Sequence, residues 1–358
     1  MVNLSNNRIF YIDFIRTFAI LCIISCHVFA DLVLNMNTFN TEIGYYSLFF
    51  NSLRELGIPL FVVISGALLI GRKDSITTFA KKRIVRVMIP YIFWTLIYLA
   101  FIILCMQHNL HFQRYDMNAL ISSTLTISPS GPSVYLWFIP MILTVYIIIA
   151  IINEMIKINY NSIHIFLIAS IILIILFNLN VITPKGFLRN VFYSVFAVLG
   201  CYLSRIDLNR SLDDKKLALV FLAIAVITYI VEIYFNQTTT LMFNRYYSIQ
   251  QFNFINVACV ISIFLFFKYL SKSNNDFSKL RTQLAGKIIL SISMCSYGIY
   301  LCHTMIKIGL TDLLKPLNSY VGILIFTTLI FILTIVCSWI LILGMSKVPV
   351  LNKFSGAH

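Results

Sequence analysis

The sequence predicts an all-α, polytopic integral membrane helix bundle of about ten transmembrane helices, with both termini in the cytoplasm. Of its 358 residues, 59% are hydrophobic and only 11% are charged, and the mean hydropathy is +0.89. A typical soluble domain carries roughly 25% charged residues, so this composition excludes a water-soluble fold. The apolar residues also form runs near the ~20 residues that a membrane-spanning helix needs.

The predicted spans are the apolar runs that lie between polar breaks. In chain order they are Phe10 to Leu34, Leu56 to Ile70, Val87 to Met106, Val134 to Met155, Ile163 to Phe177, Val191 to Leu203, Leu217 to Phe235, Phe252 to Leu270, Ile288 to Ile308 and Tyr320 to Met345. The second, fifth and sixth runs are short and are expected to gain a turn from flanking residues. We expect residues 1–358 to form one transmembrane domain, with no appended soluble domain.

The distribution of basic residues predicts the orientation. The net charge is +14, and most Lys and Arg fall in segments that are cytoplasmic if the amino terminus is inside. The outer segments hold only Arg114, Lys185, Arg189, Arg245, Lys307 and Lys315. Cytoplasmic loops are enriched in basic residues, so we interpret the charge as membrane topology rather than as a nucleic-acid site.

Two other features are interpreted structurally. The first run is a retained helix and not a cleavable signal peptide, because it is long, carries Asp13 and Arg16 near its start and lacks a small-residue cleavage site. The eight cysteines fall in predicted spans and form neither a disulfide framework nor a zinc pattern. No metal site is predicted.

The first span contains ionisable residues, which need partners or a watery cavity inside a membrane. Arg16 and His27 are eleven positions apart, so they share one helix face about 16 Å apart along the axis. Asp13 is within pairing reach of Arg16, and Asp31 lies one turn after His27. The alternatives are a snorkelling Arg16, a His27 satisfied by a neighbouring helix, and an Asp31 at the outer mouth.

A basic segment precedes the third span. Lys81, Lys82, Arg83 and Arg86 are predicted on a short cytoplasmic loop, with the two arginines on one face if the helix has begun. Arginine offers bidentate donors and lysine a point charge, a combination that suits the phosphates of a nucleotide-bearing cofactor. Plain topology or contact with anionic lipid is the alternative.

Two further groups are predicted in the outer half. Trp137 opens the fourth span, where it either joins an aromatic belt or faces a sugar at the entrance. Ser296, Tyr300 and His303 share a face of the ninth span, with an interhelical hydrogen bond as the alternative role for the last two. A cytoplasmic donor and an outer acceptor would then meet across the bundle.

These residues carry a resemblance that covers nearly the whole chain. The chain resembles membrane-bound acyltransferases of the acyltransferase-3 family, the group that contains O-acetyltransferases of bacterial surface polysaccharides. The matching elements are the Arg16 and His27 spacing, the Arg83 and Arg86 spacing, the Ser65-Gly66 pair, the run Leu136 to Phe138, and the run Tyr300 to His303.

The resemblance implies transfer of an acetyl group from cytoplasmic acetyl-CoA to a hydroxyl of a cell-surface or lipid-linked polysaccharide. His27 is the expected base or transient acyl carrier, and Arg16 is expected to fix the thioester or an anionic part of the donor. Tyr300 and His303 are expected to assist catalysis. The residues expected to bind the donor are Lys82, Arg83, Arg86 and Arg16, and those expected to bind the acceptor are Trp137 and Asp31.

Several alternatives stay open at this stage. The acyl group is acetyl or succinyl, and a transporter or flippase for a lipid-linked glycan is the competing class, because buried Arg and His also mark substrate and proton pathways. The expected location is the bacterial cytoplasmic (inner) membrane. The expected partners are membrane lipids and an outer glycan, without nucleic acid. The outer segments Gln107 to Ser133 and Asn236 to Gln251 are expected to select the acceptor.

Overall fold

The computed structural model describes residues 9–33, 41–107, 136–208, 213–243, 250–273, 279–314 and 320–357, and these contain helices and no strands. In chain order the helices are α1 (Phe10–Val33), α2 (Glu42–Ser52), α3 (Arg54–Leu69), α4 (Ile76–Gln107), α5 (Phe138–Ile158), α6 (Ser162–Asn178), α7 (Gly186–Phe192), α8 (Ser194–Arg205), α9 (Asp214–Phe243), α10 (Phe254–Ser273), α11 (Leu284–Leu313), α12 (Tyr320–Lys347) and α13 (Pro349–Ser355). The predicted all-α polytopic membrane bundle is confirmed.

The described residues form 9 helical segments long and apolar enough to cross a membrane, in which α2 joins α3 and α7 joins α8. The predicted fifth span is the shorter helix α6, of 17 residues. At 1.5 Å per residue its length is about 25 Å, below the ~30 Å of a hydrocarbon core. An odd number of crossings would place the termini on opposite sides, so the prediction that both are cytoplasmic depends on α6 crossing as well.

The contacts divide the chain into two compact units. The first unit comprises Met1–Ile70, Asn161–Pro184 and Val195–Met294, and the second comprises Gly71–Tyr160, Lys185–Ser194 and Cys295–His358. In the first unit α1 packs against α2, α3 and α10, and α9 packs against α10 and α2. In the second unit α4 packs against α5 and α13, α5 against α7, and α12 against α13.

Glycines allow two helices of the first unit to touch along their backbones. A Cβ atom on Gly66 of α3 would lie 1.8 Å from the carbonyl oxygen of Ala197 in α8. A Cβ on Gly200 of α8 would in turn lie 2.0 Å from the carbonyl oxygen of Val63. Small residues at a membrane helix interface permit such close packing. The glycine of the Ser65-Gly66 pair therefore has a structural role, while the Ser65 hydroxyl bonds within its own helix.

We expect Gly66→Ala to lower the free energy of unfolding by about 1–3 kcal/mol, because the added methyl group overpacks the contact between α3 and α8. Gly309→Ala is the matched control, since its Cβ would meet nothing within 4 Å. That control is expected to raise stability by about 0.5–1 kcal/mol through reduced backbone freedom. Thermal unfolding in detergent compares the two, and equal unfolding temperatures would contradict the packing role.

The structure corrects two predicted loops. The basic segment is helical and not a loop, because α4 begins at Ile76, where the Ser75 hydroxyl accepts a hydrogen bond from the Thr78 amide (3.3 Å) and caps the helix. The predicted outer segment from Asn236 is also helical as far as Phe243. There Thr238 and Thr240 donate to carbonyls of their own helix, so these polar residues continue it. Residues 108–135 and 244–249 lie outside the described residues.

Candidate active site

Arg16 in α1 belongs to a charged network of the first unit. Its guanidinium lies 3.6 Å from the carboxylate of Asp13 and donates to the Ser293 hydroxyl of α11 at 3.4 Å. The Ser293 hydroxyl donates in turn to Asp13 at 2.6 Å. Asp13 is almost fully buried, whereas a quarter of the Arg16 side chain is exposed. The predicted pair is therefore present, and a serine fixes both of its members.

His27 lies in α1 eleven residues after Arg16 and is half-buried. Its neighbourhood follows from the close contact of α1 with α3. A Cβ on Gly57 would lie 2.9 Å from the Ala19 carbonyl oxygen and 2.7 Å from Ile23. The helix containing His27 is thus held firmly against α3 one turn before the histidine. Asp31 lies in α1, but its side chain is outside the described residues.

The basic residues form one end of the second unit. Lys82 is exposed and lies 3.8 Å from Asp74, and Lys157 of α5 donates to the Asp74 carbonyl at 2.7 Å. Arg83 is half-buried and Arg86 is exposed, three residues apart on α4. The helix has therefore begun at these residues, so the two arginines share a face as predicted. The four cations outnumber the two nearby carboxylates, Asp74 and Glu154, which suits an anionic ligand.

The second unit brings together two motifs that were predicted separately. Phe138, next to Trp137, packs edge-to-face on the buried Tyr300 ring at 5.2 Å between centroids. The Tyr300 ring lies 5.8 Å from the His303 ring. Trp137 itself lies in the turn before α5, with the Arg189 guanidinium 5.0 Å from its ring centroid. The Trp137 ring is thus already positioned by a cation–π contact.

His303 is buried, and both of its ring nitrogens contact groups of its own helix. Nδ1 donates to the Tyr300 carbonyl at 2.7 Å, since a carbonyl only accepts. In the neutral ring, Nε2 then accepts from the Thr304 hydroxyl at 3.2 Å. These two bonds tie the imidazole to its own helix, α11. The catalytic roles of His303 and Tyr300 stay predictions.

A family model described as an acyltransferase domain, that of the acyltransferase-3 family, matches residues 9–343. The chain belongs to this acyltransferase family. No curated protein and no solved structure is matched. The protein is therefore a multi-pass membrane acyltransferase, and its matched segment contains His27, the Arg16 network, the basic end of α4 and the Tyr300 cluster.

Sequence reasoning missed two polar features of this acyltransferase. Ser293 was not predicted as the residue that bonds both Arg16 and Asp13, and serine alone in an apolar helix gives no distinguishing signal. Glu232 was missed although it is the one charged residue in the predicted span from Leu217 to Phe235. An isolated carboxylate in a membrane span is itself a functional signal. It lies fully buried in the first unit.

Proposed function

We propose that this acyltransferase moves an acetyl group from cytoplasmic acetyl-CoA to a hydroxyl of a cell-surface or lipid-linked polysaccharide. It would do so from the bacterial inner membrane. The observation that carries the proposal is that Arg16 and His27 share one face of α1. At one end of that face Asp13 and Ser293 hold Arg16, and His27 lies half-buried toward the other end. Family membership supports group transfer over the alternative of a transporter.

The transfer needs a base for a weakly acidic hydroxyl and positive charge near the thioester carbonyl. In the proposed step the acceptor hydroxyl gives its proton to His27 as its oxygen bonds to the thioester carbonyl carbon. The carbon–sulfur bond then breaks, and the CoA thiolate leaves and takes up a proton. Arg16 lies about 16 Å from His27 along α1, so its partly exposed guanidinium is proposed to hold an anionic part of the donor and not the reacting carbonyl.

The donor site is proposed at the basic end of α4, where Arg83 and Arg86 share a face and Lys82 is exposed. Phosphates bind arginine forks through charge-assisted, often bidentate hydrogen bonds. A succinyl group on the same carrier would use the same phosphate contacts. The size of the acyl group is therefore a separate question from the binding of CoA.

Purified protein is expected to be stabilised against heat by acetyl-CoA, because a ligand that binds only the folded state shifts unfolding by mass action. Arg83→Ala combined with Arg86→Ala is expected to weaken acetyl-CoA binding about tenfold or more through the lost phosphate contacts. Lys215→Ala with Lys216→Ala removes the same charge from an exposed pair elsewhere and should leave binding unchanged. Equal stabilisation of both double variants would contradict the assigned donor site.

A further inference from the structure

A polar cluster that is buried except for one partly exposed arginine lies in the first unit, outside the residues discussed as catalytic. We call it the α9 polar cluster, and it comprises Arg54, Glu55, Glu232, Asn236 and Asn256. Helix α9 buries Glu232 and Asn236 completely, whereas its apolar Tyr234 and Phe235 are exposed. A membrane helix that hides its polar residues and exposes its apolar ones faces a polar interior. This part of α9 therefore packs its polar face against other polar groups.

Two hydrogen bonds between helices and one ion pair hold the cluster together. Asn236 of α9 donates to the Ser52 hydroxyl of α2 at 3.2 Å. Asn256 of α10 donates to the Glu55 carbonyl of α3 at 3.0 Å. Arg54 and Glu55 form an ion pair at 2.7 Å, and Glu232 lies one turn before Asn236 on the same face of α9. Four helices thus contribute to one polar centre.

The cluster contains buried acceptors whose partners are not supplied by the described residues. Both carboxyl oxygens of Glu232 and the side-chain oxygen of Asn256 have no hydrogen-bond partner among them. Carboxyl and amide oxygens accept hydrogen bonds, and a protonated carboxyl can also donate one. Buried acceptors left without donors are unfavourable, so the arrangement suits a ligand that supplies O–H or N–H groups.

The cluster lies at the end of the first unit where His27 is found. Ala19 and Ile23 of α1 lie beside Gly57 of α3. Further along α1, the Ser25 hydroxyl donates to the Phe50 carbonyl of α2 at 3.0 Å. Higher residue numbers in α1 thus meet lower numbers in α2 and α3. His27 follows two residues later and therefore lies beyond the start of α3, at the level of α2, the helix whose Ser52 accepts the hydrogen bond from Asn236.

We propose that the α9 polar cluster binds the acceptor of acyl transfer, a sugar whose hydroxyl groups donate to Glu232 and Asn256. This inference rests on the proposed function and names the acceptor subsite for it. Carboxyl and amide side chains together match hydroxyls, which both donate and accept. The charges of Arg54 and Glu55 already balance each other, which favours a neutral sugar. Among the described residues, no group of three His, Cys, Asp or Glu side chains suits a metal ion.

The test compares Glu232→Ala, Glu232→Gln and the control Thr238→Val, whose hydroxyl bonds only within α9. The acceptor readout is acetate released by mild alkali from surface glycan of cells with equal membrane amounts of each protein. The donor readout is thermal stabilisation of each purified protein by acetyl-CoA. Loss of two hydrogen bonds in Glu232→Ala should lower released acetate about tenfold or more. Glu232→Gln keeps one acceptor oxygen and should retain a larger part.

The control and both Glu232 variants are expected to keep the acetyl-CoA stabilisation of the wild type. Wild-type acetate release by Glu232→Ala would overturn the acceptor subsite. The acceptor subsite would also be overturned if the Glu232 variants lost acetyl-CoA stabilisation in proportion to their loss of acetate release. Both Glu232 variants could instead lose acetate release completely while acetyl-CoA still stabilises them. That result would overturn the neutral sugar and indicate a cationic ligand, because it would show that the charge of Glu232 is required. A wild type that neither releases acetate nor responds to acetyl-CoA would instead contradict the proposed function itself.

Discussion

Replacing His27 by alanine is expected to lower the rate of acetyl transfer by about 10²- to 10⁴-fold, the range that general-base assistance contributes. Imidazole titrates near neutrality and is therefore suited to accept the proton of an attacking hydroxyl. His27 is half-buried on α1, so the residue is not fully enclosed by its neighbours. Its loss leaves the acceptor hydroxyl without a base, while the helix packing of Ala19 and Ile23 on Gly57 is kept.

Acetyl esters on surface glycan, measured at equal membrane abundance, test this prediction. His164→Ala is the control, because this exposed histidine lies in α6 and contacts Tyr202, not the α1 face. The control should give wild-type ester levels. Acetyl-CoA should stabilise the His27→Ala protein as it does the wild type. Ester levels unchanged by His27→Ala would exclude His27 as the base.

The second large effect is expected for Arg16→Ala, which should both inactivate the enzyme and destabilise it. The nearly buried Asp13 carboxylate would lose its cationic partner Arg16 and keep the hydrogen bond from the Ser293 hydroxyl. Breaking a buried ion pair by removing one partner costs about 3–5 kcal/mol. Because a quarter of the Arg16 side chain is exposed, we expect the lower end of that range.

A double variant separates the two roles of Arg16. Apolar replacement of a whole buried pair is often neutral or stabilising, so Arg16→Leu with Asp13→Leu should recover most of the lost stability. If Arg16 also binds the donor, the double variant stays inactive although it is folded. Thermal unfolding and ester content measure the two properties independently. Recovery of both together would show that Arg16 is purely structural.

The spans were predictable from sequence because lipid-facing helices must be apolar along their length. Helix α1 spans Phe10–Val33, and the predicted run from Phe10 to Leu34 begins at the same residue and ends just outside the described residues. The second span was predicted too short because α2 carries Glu42, Asn51 and Ser52, which dilute its hydropathy. The helix is interrupted at Leu53, between α2 and α3, and the two helices together form one candidate membrane span.

The site was predictable to the extent that ionisable residues stand out in apolar helices. Arg16 and Asp13 form the predicted pair, and Arg83 and Arg86 share a helical face. Contacts made across helices were not predictable, because spacing along one helix carries no information about which neighbour packs on it. The bond of Ser293 to Asp13 joins residues 280 positions apart and illustrates this limit.

The most direct test of the account supplies acetyl-CoA labelled in its acetyl group to the cytoplasmic face of sealed membrane vesicles that contain the protein. The label is then measured in alkali-labile esters of glycan on the opposite face. The account predicts that wild-type vesicles accumulate label there, and that His27→Ala vesicles with equal protein do not. Absence of label with the wild type, or equal labelling with His27→Ala, would contradict it.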